Sequence, residues 1–225
     1  MDGASTLGRG QGVHHSNYKK GTRVWQRHPK LVWISGELLD DYKIGQRSLR
    51  IRLEDDNATI VEAPVSDEKS LPFLRNPEIL MGADDLTTLS YLHEPAVLNN
   101  LQYRFMGREN VYTYCGIVLV AINPYADCGH LYNDDVIQVY RGVGKQVREL
   151  DPHIFGVAEE AYFDLCEYQK NQSIIVSGES GAGKTVSAKH VMKYLATVAG
   201  ERAGFRGIED RQIRQIHTAE FWGTE

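Results

Sequence analysis

Gly178-Glu179-Ser180-Gly181-Ala182-Gly183-Lys184-Thr185 is the stretch on which the reading of this chain turns. Its pattern, G-x-x-x-x-G-K-[ST], is that of a phosphate-binding loop, or P-loop. Gly178, Gly181 and Gly183 carry no Cβ, so the backbone can turn sharply and bring its N–H groups against an anion. Glu179, Ser180 and Ala182 complete that cradle through the main chain. Lys184 adds a point charge that reaches terminal phosphates, and Thr185 offers a hydroxyl to the Mg²⁺ that travels with a nucleotide. A helix starting here points the positive end of its dipole at the phosphates.

The flanks fit the motif. Upstream, Ile174-Ile175-Val176 is a short continuous apolar run, as expected of a buried parallel strand. Downstream, Ala188, Val191, Met192, Leu195 and Val198 recur at helical spacing, Lys189 and Lys193 fall on another face, and Gly200 stands as a stop signal. Strand, loop and helix in that order favour nucleotide binding over a plain glycine-rich connector.

Working outward, the 225 residues allow one or two domains, and a 42% hydrophobic content suffices for a core. A net charge of −5 and a pI near 5.9 argue against a general nucleic-acid binder. Cys115, Cys128 and Cys166 are scattered and odd in number, which reads as reduced thiols in the cytosol rather than a disulfide framework. No signal peptide or membrane span is expected, since the longest apolar run, residues 117–122, is far below the ~20 residues a span needs.

Residues 1–17, rich in Gly, Ser, Thr and His, read as a disordered arm, with His14-His15 part of a solvated tail. From Gly21 onward, Val24-Trp25, Val32-Trp33-Ile34, the alternating Leu49-Arg50-Ile51-Arg52-Leu53 and Thr59-Ile60-Val61 read as short strands of a small antiparallel barrel over 18–66. This barrel is a structural appendage or, less favoured, a partner-binding module. Pro64, Pro72 and Pro77 make the stretch up to Gly82 a linker. Asp84 or Asp85 caps a short helix, and Glu94-Pro95 opens another. Residues 112–122 read as a second strand, ending at Asn123-Pro124-Tyr125, where a loop leaving a sheet is a place for ligand. Tyr125 and Tyr132 flank that loop, each available either to stack on a base or to pack in a core. Cys128-Gly129-His130 lacks a second ligand pair and is given no metal role. Asp151-Pro152 starts a helix whose Glu159-Glu160 face reads as solvated. The order strand, helix, strand, loop, helix describes a parallel α/β sheet.

Residues 85–98, 112–125, 151–155 and 171–189 together resemble the start of a myosin motor domain, closest to the class V unconventional myosins that carry cargo. The resemblance covers about residues 18–200. It implies an α/β fold: part of a P-loop NTPase (myosin head) sheet with helices, preceded by a small antiparallel β-barrel of the Src-homology-three type. It divides the chain into an arm (1–17), the barrel (18–66), the first part of the motor domain (67–211) and a divergent tail (212–225). It further implies an actin-activated Mg-ATPase with ATP and Mg²⁺ as cofactors. Residues 178–185 would hold the phosphates, Asn123, Pro124, Tyr125 and Tyr132 the adenine, and Thr185 the metal. Before Tyr132 the chain departs from the family pattern with Cys128-Gly129-His130-Leu131 and a loop one residue longer. No run resembling the family's switch loops follows Arg211, so the catalytic set is expected to be incomplete. F-actin, calmodulin-type light chains for the full-length protein and a location on the cytoplasmic actin cytoskeleton are implied in the same way. An unrelated P-loop ATPase or kinase, or a binding module with a vestigial loop, are the competing readings.

Overall fold

The computed structural model describes residues 15–202. These fall into two compact units, divided between Glu109 and Asn110. The expected arm before residue 15, the family-like stretch 207–211 and the divergent tail lie outside the described residues. Among the described residues no helix is long and apolar enough to cross a membrane.

The first unit is built on a five-stranded antiparallel sheet in the order β4-β3-β2-β1-β5. Its strands are β1 (Arg23–His28), β2 (Val32–Leu38), β3 (Ser48–Leu53), β4 (Ile60–Pro64) and β5 (Phe73–Leu74). The alternation read in β3 is real: Leu49, Ile51 and Leu53 are buried and the arginines between them exposed. They join Val24, Ile34, Leu38 and Ala63 in one apolar core. Two features differ from expectation. The stretch read as a linker supplies β5, which pairs with β1 through Val24 and Trp25. His15 is not in a solvated tail, because it bonds to Glu68 at 2.6 Å and stacks on Tyr42. Helix α1 (Glu94–Gln102) starts at Glu94 with Pro95 in its first turn, as read, and is capped by the ring of His93. Asn100 and Arg104 are buried polar side chains satisfied by the main chain of Gly82 and Ala83.

In the second unit the expected strand 112–122 is a hairpin. Strands β6 (Tyr112–Cys115) and β7 (Val118–Ala121) pair antiparallel across a two-residue turn at Gly116-Ile117. Gly116 has φ 59° while Ile117 keeps a negative φ, which is the type II′ requirement for glycine in first place. Helices α2 (Asp134–Tyr140), α3 (Ile154–Tyr168) and α4 (Lys184–Arg202) complete the unit. Here α3 begins two residues later than Asp151-Pro152 implied, because the ring of His153 rather than Asp151 caps it, accepting from Phe155 N–H. Gly200 does not stop α4, which runs on to Arg202; a glycine so near a helix end costs little.

The parallel sheet is not formed among the described residues. Residues 174–176 have no regular secondary structure and pair with no strand, and Ile175 is 90% exposed. A strand exists only through ladder partners, and β7, the other candidate, is already committed to β6 alone. The fold is thus mixed α/β with antiparallel sheets. What holds the second unit is a core of Tyr112, Ile137, Val147, Phe155, Ala158, Tyr194 and Val198. Glu159 belongs to it as well. Instead of facing solvent it is 2% exposed, its two carboxylate oxygens accepting from Gly144 N–H (3.1 Å) and Tyr194 O–H (2.7 Å). Its neighbour Glu160 is half-buried and pairs with Arg148, whose other nitrogen donates to Gly116 O and so ties α3 to the hairpin.

Phe155, in the first turn of α3, is wholly buried and packs on Tyr194 of α4. Phe155→Ala is expected to lower unfolding free energy by about 3–5 kcal/mol, measured by urea titration.

Candidate functional site

The glycine-rich loop enters α4 through a turn in which Ala182 N–H donates to Glu179 O at 3.2 Å. Gly181 and Gly183 stand at φ 80° and 94°, a region side chains with a Cβ avoid. Lys184 is the first residue of α4, and its Nζ donates to the carbonyls of Gly178 and Glu179, both at 2.8 Å. The ammonium is therefore folded over its own loop. Thr185 follows in the first helical turn with an exposed side chain. A helix start leaves its first amides without intrahelical partners. Amides, dipole and ammonium thus converge at one place, and this donor set fits a polyphosphate and not a cation.

The Asn123-Pro124-Tyr125 loop reaches the same place from β7. Asn123 Nδ2 donates to Gly181 O at 2.8 Å, and Tyr125 O–H donates to the same carbonyl at 3.3 Å. Asn123 Oδ1 also accepts from Tyr125 N–H, which holds Tyr125 in a left-handed conformation (φ 49°). With 83% exposure Tyr125 is no core residue. A cleft of about 320 Å³ lies between this loop and α4, lined by Asn123, Pro124, Tyr132, Gly183, Val186 and His190 among others. Its size is that of small-molecule sites, which run from about 300 Å³ upward.

Tyr132 is half-buried at the far end of the cleft. Its hydroxyl shares a 2.8 Å hydrogen bond with that of Tyr112, and burial raises the pKa of both phenols. His190 lies flat on its ring, with centroids 3.5 Å apart and planes at 10°. Lys193 Nζ donates to Tyr132 O at 2.8 Å and pairs with Asp134 at 3.3 Å. Burial, and then the Lys193 ammonium, hold His190 below the usual histidine range. Neither His190 nor Lys193 was singled out from the sequence for the site. The available signal was their spacing of three on a helix that starts at the motif, which puts them on one face. Beneath the cleft, His153 packs against Tyr112 and Tyr140. Among the described residues no cluster of three His, Cys, Asp or Glu side chains could hold a metal ion. Cys115, Cys128 and Cys166 are all free.

Comparison with known proteins places the chain in a family. The model of the myosin head (motor domain) matches residues 83–218, and the chain belongs to that family. It is similar to human unconventional myosin-Vb (57% identity over 197 residues, 87% of this chain and 10% of that protein). Chicken unconventional myosin-Va matches at 56% over 196 residues, again 87% of this chain and 10% of the relative. Human unconventional myosin-Vc matches at 53% over 196 residues, 87% of this chain and 11% of the relative. The chain therefore spans about a tenth of the length of these curated relatives.

Burial pushes the His153 pKa down from 6.5 to about 4, so the folded state keeps the ring neutral where the unfolded chain would protonate it. The unfolded state then binds more protons between those values. Stability from this group is complete above pH 6.5 and declines as pH falls to 4, by about 3 kcal/mol in all. His153→Asn keeps a capping side chain and removes the titration. Its unfolding free energy, followed from pH 7 to pH 4, is expected to fall less steeply than that of the parent chain.

Proposed function

We propose that this chain is the N-terminal part of an ATP-driven, actin-based motor of the cargo-carrying class V type, and that it holds Mg-ATP in the cleft between the 123–132 loop and α4. The observation that carries the reading is the shared acceptor at Gly181, which binds both Asn123 and Tyr125 and so joins a base-side loop to a phosphate-side loop. A base-plus-phosphate ligand requires that junction, whereas a plain glycine-rich connector does not.

Each group then has a role. Residues 178–183 present main-chain N–H groups to the phosphates. Lys184 exchanges its two carbonyl acceptors for phosphate oxygens, a trade of neutral for charge-assisted hydrogen bonds. Thr185 would hold Mg²⁺ through its hydroxyl, and the metal would supply charge neutralisation at the phosphates. Asn123, Pro124, Tyr125 and Tyr132 border the base. Bound Mg-ATP supplies the transferable γ-phosphoryl group. Hydrolysis also needs a residue that orients water and others that neutralise the transition state. None of the described residues is assigned either task, so the chain is read as a binder with negligible turnover.

In the same reading β1–β4 belong to a barrel of the Src-homology-three type over residues 18–66, a structural appendage. Actin, calmodulin-type light chains and a place on the cytoplasmic actin cytoskeleton belong to the whole protein.

A fluorescent ATP analogue titrated with Mg²⁺ tests the binding. Saturable binding is expected, weakened at least about tenfold in Lys184→Ala through loss of charge-assisted contacts. Phosphate release with and without F-actin is expected to stay at background. Binding that ignores Lys184→Ala would sink the site assignment, and actin-stimulated turnover that vanishes in that variant would sink the claim of negligible hydrolysis.

A further inference from the structure

We propose that His190 is a positioning residue of the cleft: its imidazole, stacked on Tyr132, clips the 123–132 loop to α4, so that base recognition depends on it and phosphate capture does not. This rests on the nucleotide reading above.

The loop is an arch. Its first foot is fixed by Asn123 and Tyr125 on Gly181 O. Between the feet, Ala126, Asp127, Gly129 and His130 are exposed and supply no packing of their own. The second foot is Tyr132: its hydroxyl shares a hydrogen bond with Tyr112, its carbonyl accepts from Lys193, its ring face lies on His190, and its ring also meets His153 at 5.7 Å and the edge of Phe155 at 6.2 Å. Two of these contacts, those of His190 and Lys193, come from α4, the helix that begins with Lys184, and the His190 stack is the closest of the ring contacts.

The α4 contacts are unequal. Lys193 makes a surface contact, and its partner carboxylate Asp134 is exposed; such pairs contribute little. The ring stack lies in the half-buried wall of the cleft, where aromatic contact is at its most useful. The same stack covers one face of Tyr132. A base therefore cannot use that face, and it meets a wall whose position is set by His190. Along a helix rising 1.5 Å per residue, His190 lies about 9 Å beyond Lys184. One rigid element thus sets the distance from the phosphate cradle to the base wall, and a ligand carrying both ends reads that distance. Inorganic tripolyphosphate carries only one end and does not.

The test compares the full chain with His190→Ala and His190→Phe in two ways. First, ATP and inorganic tripolyphosphate are titrated separately by calorimetry. His190→Ala is expected to weaken ATP about tenfold, the upper range of a ring-pair contact, and tripolyphosphate less than about twofold. His190→Phe, which keeps a flat ring, is expected to restore ATP affinity. Second, without ligand, alkylation of the free thiols is followed by mass spectrometry. Cys128, half-buried in the arch, is expected to react at least about threefold faster in His190→Ala as the loop opens, with exposed Cys166 unchanged as the reference. Equal weakening of ATP and tripolyphosphate, failure of the Phe variant to restore, or an unchanged Cys128 rate would overturn the proposal. A parent chain that binds neither ligand would overturn the nucleotide reading, and Cys128 would then decide alone whether the clip exists.

Discussion

The hydroxyl of Tyr194 donates to the buried carboxylate of Glu159 at 2.7 Å, and the ring of Tyr194 packs on Phe155 with centroids 5.2 Å apart. This contact between α4 and α3 carries the site, because residues 174–176, which lead into the glycine-rich loop, have no ladder of their own. The loop is held from its helical side. Glu159 can be this deep only because both of its oxygens accept hydrogen bonds, one from Gly144 N–H and one from Tyr194. Removing either donor would leave one oxygen of a buried carboxylate without its hydrogen bond, at a cost of about 1–3 kcal/mol or more. The same carboxylate anchors α4 at Tyr194, on the helix that begins with Lys184.

From that anchor the cleft follows in sequence. α4 presents Lys184, Val186 and His190 in its first two turns, and the hairpin β6–β7 delivers Asn123-Pro124-Tyr125 to the carbonyl of Gly181. The left-handed φ of Tyr125 is a local strain, held by the Asn123 side chain and by the hydroxyl contact with Gly181. Lys184, turned onto its own loop, adds a second internal contact that an anion would displace. The arrangement is a set of donors provisionally satisfied by the protein itself.

Membership of the myosin head family gives this geometry a context, and the short span of the chain against its relatives sets its scope. A phosphate cradle with a base wall is one part of a phosphoryl-transfer site. The parts that orient water act from other elements. In the nucleotide reading proposed above, binding and turnover are therefore separable properties, and the residues described bear on the first.

Local features could be read from the residues alone. The turn at 178–185 and the helix behind it need only their own backbone, so they were legible, as were the loop after β7 and the alternation in β3; the apolar stripe of α4 was legible in part, since Val191 and Val198 are buried while Met192 is exposed and the wholly buried Tyr194 was not read into it. Family membership was legible for the same reason, since it rests on runs of neighbouring residues. Tertiary structure decided what depends on partners distant in the chain. Whether 174–176 become a strand depends on another strand to pair with, and no local pattern supplies one. Whether Glu159 is solvated or buried depends on Gly144 and Tyr194 arriving beside it. Residues 112–122 read as one strand because apolar content is continuous, while Gly116 at positive φ makes them two. His190 was hidden for the same kind of reason: a lone histidine on a helix carries no message until Tyr132, 58 residues earlier, lies flat against it.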